Sequence, residues 1–172
     1  MDKYYRSTPL HESAISGKIS LFKAIYNRCE NKNLRDSEGK TPLHLAVGAA
    51  RKGFSKVVEF LLAQDEVDKN APSDFPTESG RTPLHEGAQE GLKEVFKQLL
   101  ACEEIDVNRK CSLGRTALHY AAQNGHFDII TLLLNDERVE KNPIDENGKT
   151  PADLAWDPDL KAFLRSKIRK TE

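Results

Sequence analysis

One phrase recurs along the chain and constrains the fold more than any other feature. It reads STPLHESAISG from Ser7, GKTPLHLAV from Gly39, GRTPLHEGAQEG from Gly80, GRTALHYAAQNGHF from Gly114 and GKTPADLAW from Gly148. The threonines that open it are Thr8, Thr41, Thr82, Thr116 and Thr150, separated by 33, 41, 34 and 34 residues. A period in this range marks a stack of small units, none of which can bury its apolar face alone.

Each copy has the same grammar. Glycine followed by lysine or arginine makes a turn at Gly39, Gly80, Gly114 and Gly148. Threonine is suited to cap a helix, and proline suits the first helical position, where its missing N–H is not needed. A short helix such as 118–124 follows, with small Ala121 and Ala122 permitting close packing, and stops at Gly125. A second helix carries Phe127, Ile129, Ile130, Leu132, Leu133 and Leu134. That surface is too apolar for a lone helix, so neighbouring units must sandwich it.

These phrases, with the Gly125-His126 pair and the asparagines Asn33, Asn70, Asn108 and Asn142 beyond the second helices, closely resemble the ankyrin-repeat family, whose signature is T-P-L-H-x-A. The resemblance covers nearly the whole chain. It implies an all-α solenoid of stacked helix pairs with projecting β-hairpin fingers and a concave face. The expected organisation is one ankyrin-repeat domain over residues 1–172, with repeats at about 4–36, 37–77, 78–111, 112–145 and 146–172.

Two insertions explain the separation of 41. The opening threonine and the inter-helix glycine lie nine apart in Thr8–Gly17, Thr82–Gly91 and Thr116–Gly125, but twelve apart in Thr41–Gly53, which puts three extra residues around 48–52. Four more lie in APSDFPTESG, residues 71–80. The helix ends AQDEVDKN, ACEEIDVN and NDERVEKN lack the family's usual Gly-Ala-Asp, which leaves their turn geometry open. The ends of the chain differ from its middle. The first unit lacks an upstream Asp-x-x-Gly turn; the last has Asp153 in the histidine's place and polar Lys161, Arg165 and Lys167 on its final helix. Both read as caps of a complete array.

The chemistry of a catalyst is not legible. His11, His44, His85 and His119 recur once per unit, so they form a row instead of the i, i+4 pair that converges on a metal ion. In the resembled family this histidine bonds backbone between repeats, and His126 is read as structural too. Cys102 and Cys111 have no companion base, and no phosphate loop, dinucleotide fingerprint or nucleophile elbow occurs. No enzyme activity, cofactor or metal is expected.

Net charge is −1, and the basic end LRSKIRK is short and without interleaved aromatics, so no nucleic-acid partner is expected. No run approaches the length of a membrane span, and the start shows no signal peptide. Three cysteines in no paired pattern fit a reducing compartment, the cytoplasm and also the nucleus. Residues 59–106 carry a charge of −8, which is either an ordinary solvated surface or an attraction for a partner with a basic patch.

A stack of half-buried slabs makes a modular surface that binds. The expected function is protein–protein interaction by a monomer acting as adaptor or competitor. Alternatives are a dedicated inhibitor of a kinase or transcription factor, or a viral or bacterial effector that mimics a host ankyrin-repeat protein. The resemblance places Glu12, Leu45, Glu86 and Tyr120 in the groove, with Gln89, Glu90, Gln123 and Asn124 one turn on, a face that i, i+3 and i+4 spacing also supports. Tyr120 is either an exposed anchor or a ring packed on the neighbouring finger. Phe75, between two prolines of the lengthened loop, either anchors a partner or folds over the 48–52 region. Asn70, Asn108 and Asn142 match positions that asparaginyl hydroxylases modify in the family.

Overall fold

The fold is seen in a computed structural model, which describes residues 7–74 and 79–168. Ten α-helices occur among them in five consecutive pairs: α1 (Pro9–Ser16) with α2 (Ile19–Tyr26), α3 (Pro42–Ala49) with α4 (Ser55–Leu62), α5 (Pro83–Glu90) with α6 (Lys93–Leu100), α7 (Ala117–Gln123) with α8 (Phe127–Asn135), and α9 (Pro151–Leu154) with α10 (Pro158–Ile168). First helices pack on first helices along the stack, α1 on α3 on α5 on α7 on α9. Second helices α2, α4, α6 and α8 form a parallel row. This is the all-helical ankyrin solenoid that the repeat grammar predicts.

Local chemistry sets each boundary. Thr8, Thr41, Thr82, Thr116 and Thr150 have extended backbone immediately before their helices, the geometry a capping residue needs. Gly17 and Gly91 end α1 and α5 at φ of 67° and 68°, a left-handed conformation costly for any residue with a Cβ. The second helices end without such a glycine. At Ala63 and Ala101 the backbone stays right-handed. A short turn follows, in which Val67, Ile105 and Val139 plug back into the interior, and the N–H groups of Val67 and Ile105 bond to Gln64 O and Cys102 O.

One apolar core runs without interruption from Leu10 to Leu164. Its largest members include Phe22, Phe96, Leu61, Leu99, Ile129 and Leu133, all from second helices. Each such side chain contributes about 2 kcal/mol by leaving water. In α10, Leu160 and Leu164 are buried whereas Arg165 and Lys167 face solvent, so its outer side is polar as the sequence predicts.

The β-hairpin fingers are not seen as strands. No strand forms among the described residues. Where a finger is expected the chain makes a tight turn, closed at Asp36 by its N–H donating to Lys40 O (3.0 Å) and by Gly39 N–H donating to Asp36 O (3.0 Å). The turns at Cys111 and Asp145 repeat this pattern with Arg115 O and Lys149 O. Single bonds link neighbouring turns, Asp74 N–H to Glu38 O, Ser112 N–H to Ser79 O and Glu146 N–H to Leu113 O, too few for a ladder.

Both insertions are where the spacing puts them. The extra three residues form the 3-10 turn Ala50–Lys52 after α3. The four in the loop fall between Ser73 and Arg81, which close their turn (2.7 Å) across eight positions where the others use four. The two insertions sit at opposite ends of α3, since Asp74 lies beside Glu38, ahead of that helix, and Ala50 lies after it.

Candidate functional site

The ends of the first helices that face the turns are occupied by structural bonds. In each of the first four pairs the threonine N–H donates to the histidine Nδ1, at 3.3 Å for Thr8–His11 and 3.0–3.1 Å for Thr41–His44, Thr82–His85 and Thr116–His119. The other ring nitrogen reaches the next repeat: Nε2 of His11, His44, His85 and His119 lies 3.0–3.1 Å from the carbonyls of Lys40, Arg81, Arg115 and Lys149. An Nδ1 that accepts and an Nε2 that donates define the neutral Nε2–H tautomer. Burial pushes His44 down to about 3 and His85 to about 4, against the backbone bonds, and also lowers His119. These rings are locked neutral clamps. Among the described residues no three His, Cys, Asp or Glu side chains gather as metal ligands.

The asparagines form a second set of ties. Asn70 Nδ2–H donates to Glu104 O (2.7 Å) while its Oδ1 accepts from Asp106 N–H (2.8 Å). Asn33 and Asn108 do the same to Glu66 and Asp68 and to Arg138 and Glu140. Asn142 is exposed.

The solvent side of the first helices carries several of the groove residues expected from the sequence. Glu12 and Ile15 of α1 are exposed, and Leu45 of α3 is half-buried beside Gly48. Ile15, Lys40, Leu45, Ala49, Lys52 and Glu86 line an open groove of about 270 Å³ that joins α1, α3 and α5. The acids of α5 do not stand bare. Glu86 pairs with Arg81 (3.2 Å) and Lys40 (3.9 Å), and Glu90 with Arg51 (3.0 Å). Lys40 and Arg51 were missed from the sequence, because each belongs to the preceding repeat and meets its acid only through the stacking, whereas Arg81 lies in the turn just ahead of α5. Gln89 is half-buried and its carbonyl accepts from His126 Nε2 (2.8 Å). Gln123 is exposed and accepts from Arg115 (3.1 Å); Asn124 donates back to Tyr120 O (2.9 Å).

Tyr120 is not on this surface. It is only 2 % exposed. The Arg81 guanidinium lies over one face of its ring (4.9 Å to the centroid), the His85 imidazole meets it edge-on (5.5 Å), and its hydroxyl reaches Cys111 Sγ (3.3 Å). A large flat ring with a polar tip is buried well when a cation, an edge and a polar sulfur partner are all present. Of the two sequence readings, the packed ring is the one observed. Phe75 lies outside the described residues.

No helix among the described residues is long and apolar enough to cross a membrane. The chain matches the family described as ankyrin repeats (3 copies) over residues 10–111 and again over 84–163. It is similar to alpha-latrotoxin-Lg1a of Latrodectus geometricus, 33% identical over 60% of this chain and 7% of that protein. It is similar to neurogenic locus notch homolog protein 4 of Homo sapiens (31% identical, 56% of this chain, 4% of that protein). A third relative is ankyrin repeat domain-containing protein 13C-B of Xenopus laevis (34% identical, 54% of this chain, 16% of that protein). The chain therefore spans less than a fifth of the length of each of these relatives. With the family match reaching from residue 10 to residue 163, and the Thr–His clamp recurring from pair to pair, the chain belongs to the ankyrin-repeat family.

Proposed function

We propose that this chain is a protein-binding module, an adaptor or competitor, that engages its partner on the solvent side of the first helices. The family's general role as a protein-interaction module supports the reading. The observation that carries it is the groove lined by Ile15 and Leu45, which crosses three helix pairs and leaves apolar side chains within reach of solvent. The anchor is then an apolar side chain of the partner seated against Leu45, with Glu12, Gln123 and Asn124 as polar contacts. Because Glu86 already holds cations of this chain in a largely buried cluster, a basic patch on the partner is secondary to that anchor: it must displace Arg81 or Lys40 to reach it. The proposed compartment is the cytoplasm, and hydroxylation is proposed at Asn70, Asn108 and Asn142, Asn142 being the exposed one.

Affinity capture from cell lysate, read by quantitative mass spectrometry, tests this. A protein retained by the wild type and lost with Leu45→Glu, in a variant with an unchanged unfolding midpoint, supports the surface. Equal retention by both chains sinks it. Intact mass from a eukaryotic host without a +16 species argues against hydroxylation.

A further inference from the structure

Three inter-helix glycines are covered by a ring from the following helix pair, and one is not. A side-chain carbon built on Gly17 would collide with the Phe54 ring; on Gly91 it would fall 2.6 Å from the His126 imidazole, and on Gly125 it would fall 3.3 Å from Trp156. The same construction at Gly53 meets nothing within 4 Å. The cause is local. The 3-10 turn Ala50–Lys52 sets Gly53 apart from the body of α3, and the residue that would cover it is Leu92, which packs against the core. What remains is a cleft of about 500 Å³, with Arg51, Gly53 and Ser55 on one side and Leu92, Lys93 and Val95 on the other.

The chemistry of the cleft is readable. Its floor is bare glycine backbone with Leu92 and Val95. Its rim carries Arg51 and Lys93, whose side chains are 68% and 45% exposed, and Lys52 and Lys56, next in sequence to lining residues, are exposed and form no ion pair among the described residues. Each cleft charge is engaged at the surface: Arg51 with Glu90 (3.0 Å), Lys93 with Asp128 (3.2 Å), and Glu94, also on the lining, with Lys97 (3.1 Å). Exposed pairs of this kind hold weakly, so Arg51 and Lys93 can turn to a partner's carboxylates at little cost.

We propose that this cleft is a docking site for a protein partner that presents a planar aromatic side chain on an acidic segment. The ring takes the position over Gly53 that Phe54, His126 and Trp156 take over the other glycines. Flanking carboxylates meet Arg51 and Lys93. Burial of the ring supplies affinity, and the charges supply orientation and encounter rate. The site goes beyond the groove at Leu45 and does not depend on it, since it opens on the loop side of the 3-10 turn.

The test uses the whole chain and a short fluorescein-labelled peptide with one central tryptophan flanked by aspartate and glutamate. Binding is read by anisotropy and mapped by amide NMR. Saturable binding is expected, with shifts at residues 50–56 and 91–95, and weakened about tenfold when the peptide tryptophan becomes alanine. Leu92→Trp supplies the missing ring from within and should abolish binding. Should that variant unfold, the surface pair Arg51→Glu/Lys93→Glu should still weaken binding by about tenfold and flatten its salt dependence. Leu45→Glu should leave it unchanged. Equal binding of the tryptophan and alanine peptides, no saturation, shifts elsewhere, or full binding to Arg51→Glu/Lys93→Glu would each overturn the proposal.

Discussion

The two ends of the first helices obey different rules. At the turn end, four successive pairs make the same bonds: threonine N–H to histidine Nδ1, and Nε2 to the carbonyl just before the next threonine. At the loop end no two junctions match. The group over each glycine is a phenylalanine, nothing, a histidine and a tryptophan in turn. The turn end must satisfy buried backbone donors and acceptors, and an unmet one costs about 1–3 kcal/mol, so a residue that accepts from threonine N–H and also donates to the next repeat is required wherever a further repeat follows. The loop end only fills space beside solvent, which many side chains can do. Uniformity marks the backbone constraint, and variety marks its absence.

Acid should expose this difference most strongly. His44 and His85 are neutral in the fold, with values pushed down to about 3 and about 4, whereas in the unfolded chain they protonate near 6.5. Below 6.5 the unfolded state therefore binds more protons, so stability from these clamps is complete above 6.5 and falls as pH drops toward 4. A loss on the order of 5 kcal/mol between pH 7 and pH 4 is expected from the pair. The last repeat has the same sign in a lower pH window. Hydrogen bonds from the Thr150 hydroxyl and N–H hold the Asp153 carboxyl below its usual range, so its contribution survives to lower pH and is lost only as the carboxyl protonates. Urea midpoints across pH 4–7 check this; a flat profile would refute the clamp reading.

Mutation at the turn end comes next in size. His85→Ala removes the acceptor for Thr82 N–H and a donor to Arg115 O, and leaves a void beside Tyr120. A cost of about 3 kcal/mol is expected in urea unfolding. A cost below 1 kcal/mol would mean the row of histidines is ornament.

The sequence reading fared unevenly for the same reason. Threonine caps, glycine stops and both insertions were legible because they depend on local backbone geometry and on spacing. The course of Tyr120 was not. Its counterparts Glu12 and Leu45 keep contact with solvent, and only the stacking brings Arg81, His85 and Cys111 around its ring. Lys69 shows the same limit. It looks like a surface charge in AQDEVDKN, yet it is buried and donates to Gln64 O and Glu104. Side-chain contacts of this kind, unlike the histidine clamp, have no signature inside one repeat.

The asparagine ties are a smaller instance of the backbone rule. Asn70→Ala frees Glu104 O and Asp106 N–H, both at the solvent margin, so water compensates in part. A loss of about 1–2 kcal/mol is expected, with faster amide exchange confined to residues 104–108. Exchange that rises across the whole chain would show that the tie is not local.

The smallest effect should come from the loop end, at the one junction where a histidine stands as the cover. His126 lies over Gly91 and its Nε2 reaches Gln89 O (2.8 Å), so it resembles the clamps in having a bond to the preceding repeat. Its ring, however, is only partly buried, and water can replace it at the Gln89 carbonyl. His126→Ala should therefore cost about 1 kcal/mol, roughly a third of His85→Ala. His126→Phe should recover most of that, because Phe54 does the same covering with no polar atom. Urea unfolding of these variants separates the two rules. If His126→Phe is as damaging as His126→Ala, the hydrogen bond and not the ring holds that junction, and the loop end is under the same constraint as the turn end.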